Sequence, residues 1–120
     1  MNAELNEVEN FLTQLKNILK NNEPNSFQLI PRQKNLRSLD KYGLSIKTVK
    51  HILKNLGSEH YFKGPCQDDK EKNDYCWWFF GKEINSRMFY IKVRIVGEEH
   101  KVICLSFHEA EYEISHFPYR

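Results

Sequence analysis

Residue types alternate along Met88–Val96, and this stretch constrains the fold of the 120-residue chain more than any other. Odd-numbered positions are apolar, whereas even-numbered positions carry a phenol and two cations: Phe89, Ile91, Val93 and Ile95 against Tyr90, Lys92 and Arg94. Successive side chains of a β-strand point to opposite faces of the sheet. The pattern therefore predicts a strand with one apolar face and one cationic face that carries a phenol.

The aromatic segment Tyr75–Ile84 predicts a strand before this one. It is too uniformly aromatic for alternation alone to assign its faces, but a hairpin turn at positions 85 and 86 would divide its rings. The core face would then hold Trp78 and Phe80. The face shared with the phenol would hold Trp77 and Phe79, which could stack on nucleic-acid bases.

A third strand is predicted at Val102–His108, with faces formed by Ile103, Leu105 and Phe107 against Cys104, Ser106 and His108. One antiparallel register keeps the apolar faces together: it pairs Ile95 with Ile103, Ile91 with Phe107, Lys92 with Ser106 and Tyr90 with His108. Opposed side chains lie about 5 Å apart at Cβ, and a slip by one residue would turn an apolar set outward. The sequence therefore predicts that Tyr90 and His108 are neighbours.

The N-terminal segment Ala3–Asn21 has the spacing of an amphipathic helix, with an apolar side formed by Leu5, Val8, Leu12, Leu15 and Leu19. A short edge strand is expected at Ser26–Ile30, because Pro31 follows it and proline is confined to the edges of sheets.

Two further helices are predicted downstream. Arg32–Gly43 carries Leu36 and Leu39 three positions apart and ends on glycine, a frequent helix terminator. Ser45–Gly57 begins with a good N-cap residue and also ends on glycine. A last turn could occupy positions 58–62, and an exposed polar loop is expected from Cys66 to Asp74.

These elements predict one α+β domain over residues 1–120. We expect an antiparallel sheet, made of a three-stranded C-terminal meander and a short N-terminal strand, packed against the N-terminal helices. The net charge of +2 excludes a strongly basic coat protein but leaves RNA binding open, because cations can cluster locally.

No apolar run could span a membrane, and no signal-peptide pattern opens the sequence, so we expect a cytoplasmic protein without a membrane partner. The three cysteines, Cys66, Cys76 and Cys104, lack Cys-x-x-Cys spacing. They are expected to be reduced thiols that form neither a disulfide framework nor a zinc site.

Several motifs follow one another in an order that resembles the MqsR family of bacterial toxins, over about Ile30 to His108 and more loosely to Tyr119. They are Gly43-Leu44 before a helix, Tyr61-Phe62-Lys63-Gly64 after it, a Trp-rich strand ending in Phe80-Gly81-Lys82-Glu83-Ile84, then Arg87-Met88-Phe89-Tyr90-Ile91-Lys92 and Ser106-Phe107-His108-Glu109-Ala110-Glu111-Tyr112. The resemblance implies a RelE-like fold and an mRNA interferase of a type II toxin–antitoxin module. It also implies a cognate antitoxin, expected to be a helix-turn-helix DNA-binding protein.

By the same resemblance, the catalytic residues would be Lys63, Tyr90 and His108. Lys63 matches a lysine that follows an aromatic pair, and it is expected in a loop that could fold over the site. His108 stands where the best-known member has lysine. A glutamine of the family's aromatic strand has no equivalent, because this chain has Trp78 or Phe79 there.

RNA can be cleaved without metal when the 2′-OH attacks its own phosphate, and such cleavage needs proton transfer and neutralisation of charge. Histidine can supply the proton transfer near neutral pH, and a tyrosine can donate or orient a hydrogen bond. The residues predicted to bind RNA are Lys92, Arg94, Arg87, Lys82, Trp77 and Phe79. No cofactor is expected.

Glu109 and Glu111 could act as general bases or, with His108, suggest a metal site. A second histidine at ligand spacing is missing, so no metal is predicted. In an extended strand Glu109 also falls on the face opposite His108. The alternative to an enzyme is a non-catalytic module that holds RNA or a protein on the same basic and aromatic face.

Overall fold

The computed structural model describes residues 2–21, 23, 25–66, 76–98 and 100–120. Within these ranges the helices are α1 (Leu5–Lys20), α2 (Gln33–Tyr42) and α3 (Ile46–Lys54), and the strands are β1 (Phe27–Leu29), β2 (Tyr61–Cys66), β3 (Trp77–Ile84), β4 (Arg87–Val96) and β5 (Lys101–Glu109). All five strands belong to one mixed sheet with the order β1-β5-β4-β3-β2. The α+β class is confirmed. Beyond Cys66, the polar loop predicted to Asp74 lies outside the described residues, as does the predicted strand start at Tyr75.

The sheet differs from the predicted antiparallel one at both edges. Strands β3, β4 and β5 do form an antiparallel meander, but β1 runs parallel to β5. Strand β2 adds an antiparallel edge beside β3, where a turn and a loop had been expected. Only Ser58–His60 form a 3₁₀ turn. Lys63 therefore lies on a strand, and the prediction that it lies in a loop was wrong.

The apolar side of α1 packs against one face of the sheet. Its buried residues are Val8, Phe11, Leu12, Leu15, Ile18 and Leu19. The ring of Phe11 stacks on that of Trp78, with the centroids 4.4 Å apart. Phe80 lies near the same ring and is fully buried. Both β3 rings therefore lie on the core face, as predicted. Leu5, expected on the apolar side, starts the helix and is 42% exposed. Burial of this helix face supplies much of the hydrophobic stabilisation of the fold.

Residues at the C-terminus of α2 and at the N-terminus of α3 have the conformations expected from their types. Gly43 has φ +65°, the left-handed conformation that glycine adopts at little cost at a helix end. Ser45 caps α3 by accepting a hydrogen bond from the backbone N–H of Thr48, at 3.1 Å. Helix α3 ends at Lys54, before the predicted Gly57.

A β-bulge interrupts the pairing of β4 with β5. Tyr90 lies opposite His108, Ile91 opposite Phe107 and Lys92 opposite Ser106, as predicted. Beyond these pairs the register shifts by one residue, which leaves Leu105 as the additional residue of β5. Ile95 therefore pairs with Val102, and the predicted pairing with Ile103 was wrong. For the same reason Cys104 lies in the core rather than beside Ser106.

Side chains of α2 hold β5 at this bulge. Asn35, fully buried, donates from Nδ2 to the carbonyl of Leu105 at 2.9 Å and accepts from the N–H of Phe107 at 2.9 Å. Ser38 accepts from the N–H of Glu109 at 3.0 Å. Strand β1 ends before these positions, so α2 satisfies backbone groups that would otherwise be buried without partners. Helix α2 thus buries Asn35 and Ser38 together with Leu39, whereas Leu36 is 47% exposed.

Candidate active site

The sheet face opposite α1 carries a cavity of about 630 Å³. Strands β2, β4 and β5 form its floor, and the segment after β5 forms one wall. Of the predicted site residues, Lys63, Tyr90, Lys92 and His108 line it. Side chains from three strands therefore converge on one space, large enough for a small ligand or part of a polymer.

Tyr90 and His108 lie side by side in this cavity. Their ring centroids are 5.5 Å apart and the ring planes are inclined by 30°. Partial burial raises the pKa of the Tyr90 phenol, while the guanidinium of Arg32 acts in the opposite direction. A phenol with a raised pKa keeps its proton at neutral pH and is available as a hydrogen-bond donor.

The ring of His108 is held in a defined orientation. Its Nδ1 lies 2.9 Å from the backbone carbonyl oxygen of Glu109. A carbonyl oxygen can only accept, so this bond exists when Nδ1 carries a proton. In the neutral imidazole Nε2 then has the lone pair, which makes it the atom that can take up a proton. The side chain is only 7% exposed.

Two lysines line the cavity with this pair and also contact aromatic rings. The Nζ of Lys63 lies 4.9 Å from the centroid of the Phe79 ring. The Nζ of Lys92 lies 5.1 Å from Trp77 and 5.4 Å from Phe79. Cations at such distances are attracted to the faces of aromatic rings. The rings thus hold two positive charges at the edge of the cavity.

The other predicted RNA-binding residues on this face lie beside the cavity. Arg94 covers Trp77, with its guanidinium carbon 4.3 Å from the ring centroid. Trp77 and Phe79 lie on the predicted face but are only 2% and 6% exposed. Stacking of a base on either ring would therefore require the covering side chains to move.

Lys82 and Arg87 are not brought to this cavity. Lys82 lies opposite Phe89 and Arg87 opposite Ile84, and both of those partners are core residues on the helix side. The Nζ of Lys82 lies 3.5 Å from His60 Nε2. Both cations therefore lie on the other face of the sheet from Tyr90.

The structure adds site residues that the sequence did not single out. Arg32, which precedes α2, reaches across β5 and donates from Nη1 to the hydroxyl of Ser106 at 3.2 Å. Lys34 and His116 also line the cavity. Ser106 had been placed on this face by alternation, but no local pattern connects positions 32 and 116 with β4 and β5.

The two glutamates after His108 occupy different places. Glu109 accepts hydrogen bonds from Tyr42 and, at 3.2 Å, from Lys41 of α2, and these bonds lower the pKa of its carboxyl. It lies on the helix side, as strand alternation requires. Glu111 lines the cavity and pairs with Lys34 at 2.5 Å, which lowers the pKa of its carboxyl.

The C-terminal segment closes one side of the cavity. Gly81 of β3 faces this segment, and a Cβ atom there would lie 2.9 Å from Ile114 and 3.0 Å from the ring of Phe117. Phe117 packs edge-on against Phe62, and the Tyr119 hydroxyl donates to the carbonyl of Ala3. The absence of a side chain at position 81 therefore lets this segment lie directly on the sheet.

No model of a known protein family matches the chain, and no curated protein is significantly similar to it. Among the described residues, no group of three or more metal-ligating side chains occurs. None of the helices in those residues is long and apolar enough to cross a bilayer. The function is therefore inferred from the cavity and its side chains.

Proposed function

We propose that the chain is a metal-independent endoribonuclease that cleaves mRNA through attack of a 2′-OH on the adjacent phosphate. The observation that carries the proposal is the contact of Tyr90 with His108 in a cavity that also holds Lys63 and Lys92. A proton acceptor, a proton donor and cations are the groups that this reaction needs.

In the proposed reaction, the 2′-oxygen forms a bond to phosphorus as the bond to the 5′-oxygen breaks. His108 Nε2 takes the proton of the 2′-OH, and the Tyr90 phenol donates its proton to the leaving 5′-oxygen. The products are a 2′,3′-cyclic phosphate and a 5′-OH. Return of the proton from His108 to Tyr90 through solvent restores both groups. Lys63 and Lys92 stabilise the negative charge on the phosphate oxygens.

The biological setting proposed here rests on the resemblance to the MqsR family. The chain would be the toxin of a type II toxin–antitoxin module with a RelE-like fold, acting in the cytoplasm. Cleavage of mRNA would stop translation and growth. A cognate antitoxin, expected to be a helix-turn-helix DNA-binding protein, would mask the toxin.

The test is a cleavage assay with purified protein, a short unstructured RNA of mixed sequence and excess chelator. We expect cleavage by the wild type and a loss of about 10²–10⁴-fold in His108→Ala, which removes the proton acceptor. The matched control is His51→Ala, because His51 is exposed on α3 outside the cavity. Circular dichroism should show that both variants are folded.

The proposal fails if the wild type leaves the RNA intact, or if both histidine variants cleave equally well. Binding of intact RNA by the wild type would instead support the non-catalytic module. Tyr90→Phe distinguishes the roles within the pair, because it keeps the ring contact with His108 and removes only the donor. We expect this variant to bind RNA as the wild type does and to cleave it more slowly.

A further inference from the structure

We propose that Arg32 is the residue that holds the scissile phosphate and neutralises the charge that develops on it. This inference rests on the proposed function and deepens it, since neither the sequence pattern nor the resemblance assigns a role to this arginine. It is drawn from the position of the guanidinium between β5 and the cavity.

The guanidinium of Arg32 lines the cavity on the side of β5. It donates to Ser106 Oγ at 3.2 Å, and Ser106 is two residues before His108 on the same face of β5. Its charge acts on the pKa of both Tyr90 and Glu111. One cation thus interacts with groups on β4, on β5 and on the C-terminal wall.

The lysines of the cavity are placed differently, and Lys34 is paired with Glu111 at 2.5 Å. Lys63 and Lys92 both lie over the ring of Phe79, at 4.9 and 5.4 Å. Arg32 is directed instead towards the hydroxyl of Ser106. Arginine presents a planar fork of donors that can bind two phosphate oxygens at once, and it never loses its charge at neutral pH.

Backbone bonds fix the main chain of this arginine, and the bond to Ser106 holds its guanidinium. Its N–H donates to the carbonyl of Ile30 at 2.8 Å, and its carbonyl accepts from the N–H of Leu36 at 3.0 Å as the first turn of α2 begins. Asn35 donates to the same Ile30 carbonyl at 2.8 Å. A preorganised cation stabilises a transition state without rearrangement at the moment of reaction.

Ser106 completes the proposed phosphate site. Its side chain is only 2% exposed, and its oxygen accepts from Arg32. The hydroxyl proton of Ser106 therefore remains able to donate to a phosphate oxygen beside the guanidinium. The substrate group recognised here is a phosphodiester, held next to the His108 ring that takes the 2′-OH proton.

The experiment compares Arg32→Gln with Arg37→Gln. Arg37 lies on α2, which Arg32 precedes, and it is exposed and does not line the cavity. Its Nη2 donates to Gln33 Oε1 at 3.2 Å. Both variants therefore lose one charge, but only Arg32→Gln affects the site. Cleavage is measured with the unstructured RNA. Binding is measured over a series of salt concentrations with an otherwise identical oligonucleotide of 2′-O-methyl RNA, which cannot be cleaved.

We expect kcat to fall about 10²–10³-fold in Arg32→Gln, as for loss of one preorganised donor. The slope of log Kd against log salt should shrink by about 0.7, as for one lost phosphate contact on a single strand. Arg32→Lys should restore the salt slope and only part of kcat, because lysine keeps the charge without the fork. Arg37→Gln should leave kcat unchanged.

Two results would overturn this inference and leave the proposed function standing. In the first, Arg32→Gln cleaves as well as Arg37→Gln while His108→Ala is inactive. In the second, the kcat of Arg32→Gln falls but its slope of log Kd against log salt equals that of the wild type. The second result would mean that Arg32 supports the fold of the site without contacting phosphate. If the wild type does not cleave RNA at all, the proposed function fails and the inference fails with it.

Discussion

The side-chain oxygen of Asn35 accepts a hydrogen bond from the backbone N–H of Phe107, 2.9 Å away. This bond connects a helix residue with the strand residue next to His108, across 72 positions of the sequence. The same amide donates to the carbonyl of Leu105, the extra residue of the bulge. Asn35 therefore stabilises the local geometry that places Ser106 and His108 in the cavity.

Replacing Asn35 should destabilise the protein strongly. Asn35→Ala leaves the carbonyls of Ile30 and Leu105 and the N–H of Phe107 without this partner, and a buried group left unpaired costs about 1–3 kcal/mol. We expect a loss of about 3 kcal/mol or more in the free energy of unfolding, measured by urea denaturation. The control, Leu36→Ala, changes the adjacent exposed residue and should cost less than about 1 kcal/mol. Equal losses in the two variants would contradict this role of Asn35.

The alternation of β4 and β5 was sufficient to predict the pairing of Tyr90 with His108, because side-chain direction in a strand has a period of two. It could not predict the bulge, since Leu105 is an ordinary strand residue by type. The bulge depends on contacts with Asn35, 70 positions away. A pattern read within one segment contains no information about such a partner.

The same limit explains the other differences. The spacing of Leu36 and Leu39 predicted helix α2, and Leu39 is buried. The helix also buries Asn35 and Ser38, because β5 needs polar partners there. Arg32 and His116 reach the cavity from segments that no spacing rule connects with it. Lys82 and Arg87 were grouped with the site by charge alone, although their β-sheet partners place them on the other face.

Adding a methyl group at position 81 should displace the C-terminal wall of the cavity. In Gly81→Ala the new Cβ would lie 2.9 Å from Ile114 Cδ1, too close for an unchanged packing. We expect a loss of about 1 kcal/mol in stability, at the low end for an overpacked site, and faster chymotrypsin cleavage after Tyr112. The double variant Gly81→Ala, Ile114→Ala removes the closest contact and should recover part of the protection. Unchanged cleavage in Gly81→Ala would show that the wall does not rest on Gly81.

Stability should fall as the pH drops below the ordinary pKa of histidine, partly because of His60. Burial and the nearby charge of Lys82 lower the pKa of His60, and Arg120 acts in the same direction, whereas Glu59 opposes them. Between the lowered pKa and the ordinary value of about 6.5, the unfolded chain binds more protons than the folded chain, so protonation favours unfolding. His60 Nδ1 also accepts from the N–H of Gly57 at 2.9 Å, which a protonated Nδ1 cannot do.

Urea denaturation at pH 7.5 and at pH 5.5 measures this contribution. We expect His60→Gln to lose less stability between the two conditions than the wild type, because glutamine does not titrate. His51→Gln should keep the wild-type dependence, since His51 is exposed on α3. If the two variants show the same pH dependence, His60 is not a source of it.

If Tyr90 and His108 drive attack by a 2′-OH on phosphate, the ends of the cleaved RNA must show it. The RNA is incubated with the wild type in excess chelator and its fragments are identified by mass spectrometry. We expect a 2′,3′-cyclic phosphate on one fragment, a 5′-OH on the other, and no cleavage of a substrate with 2′-deoxyribose at the cleaved position. Fragments with 3′-OH and 5′-phosphate ends, or cleavage of the 2′-deoxy substrate, would contradict it.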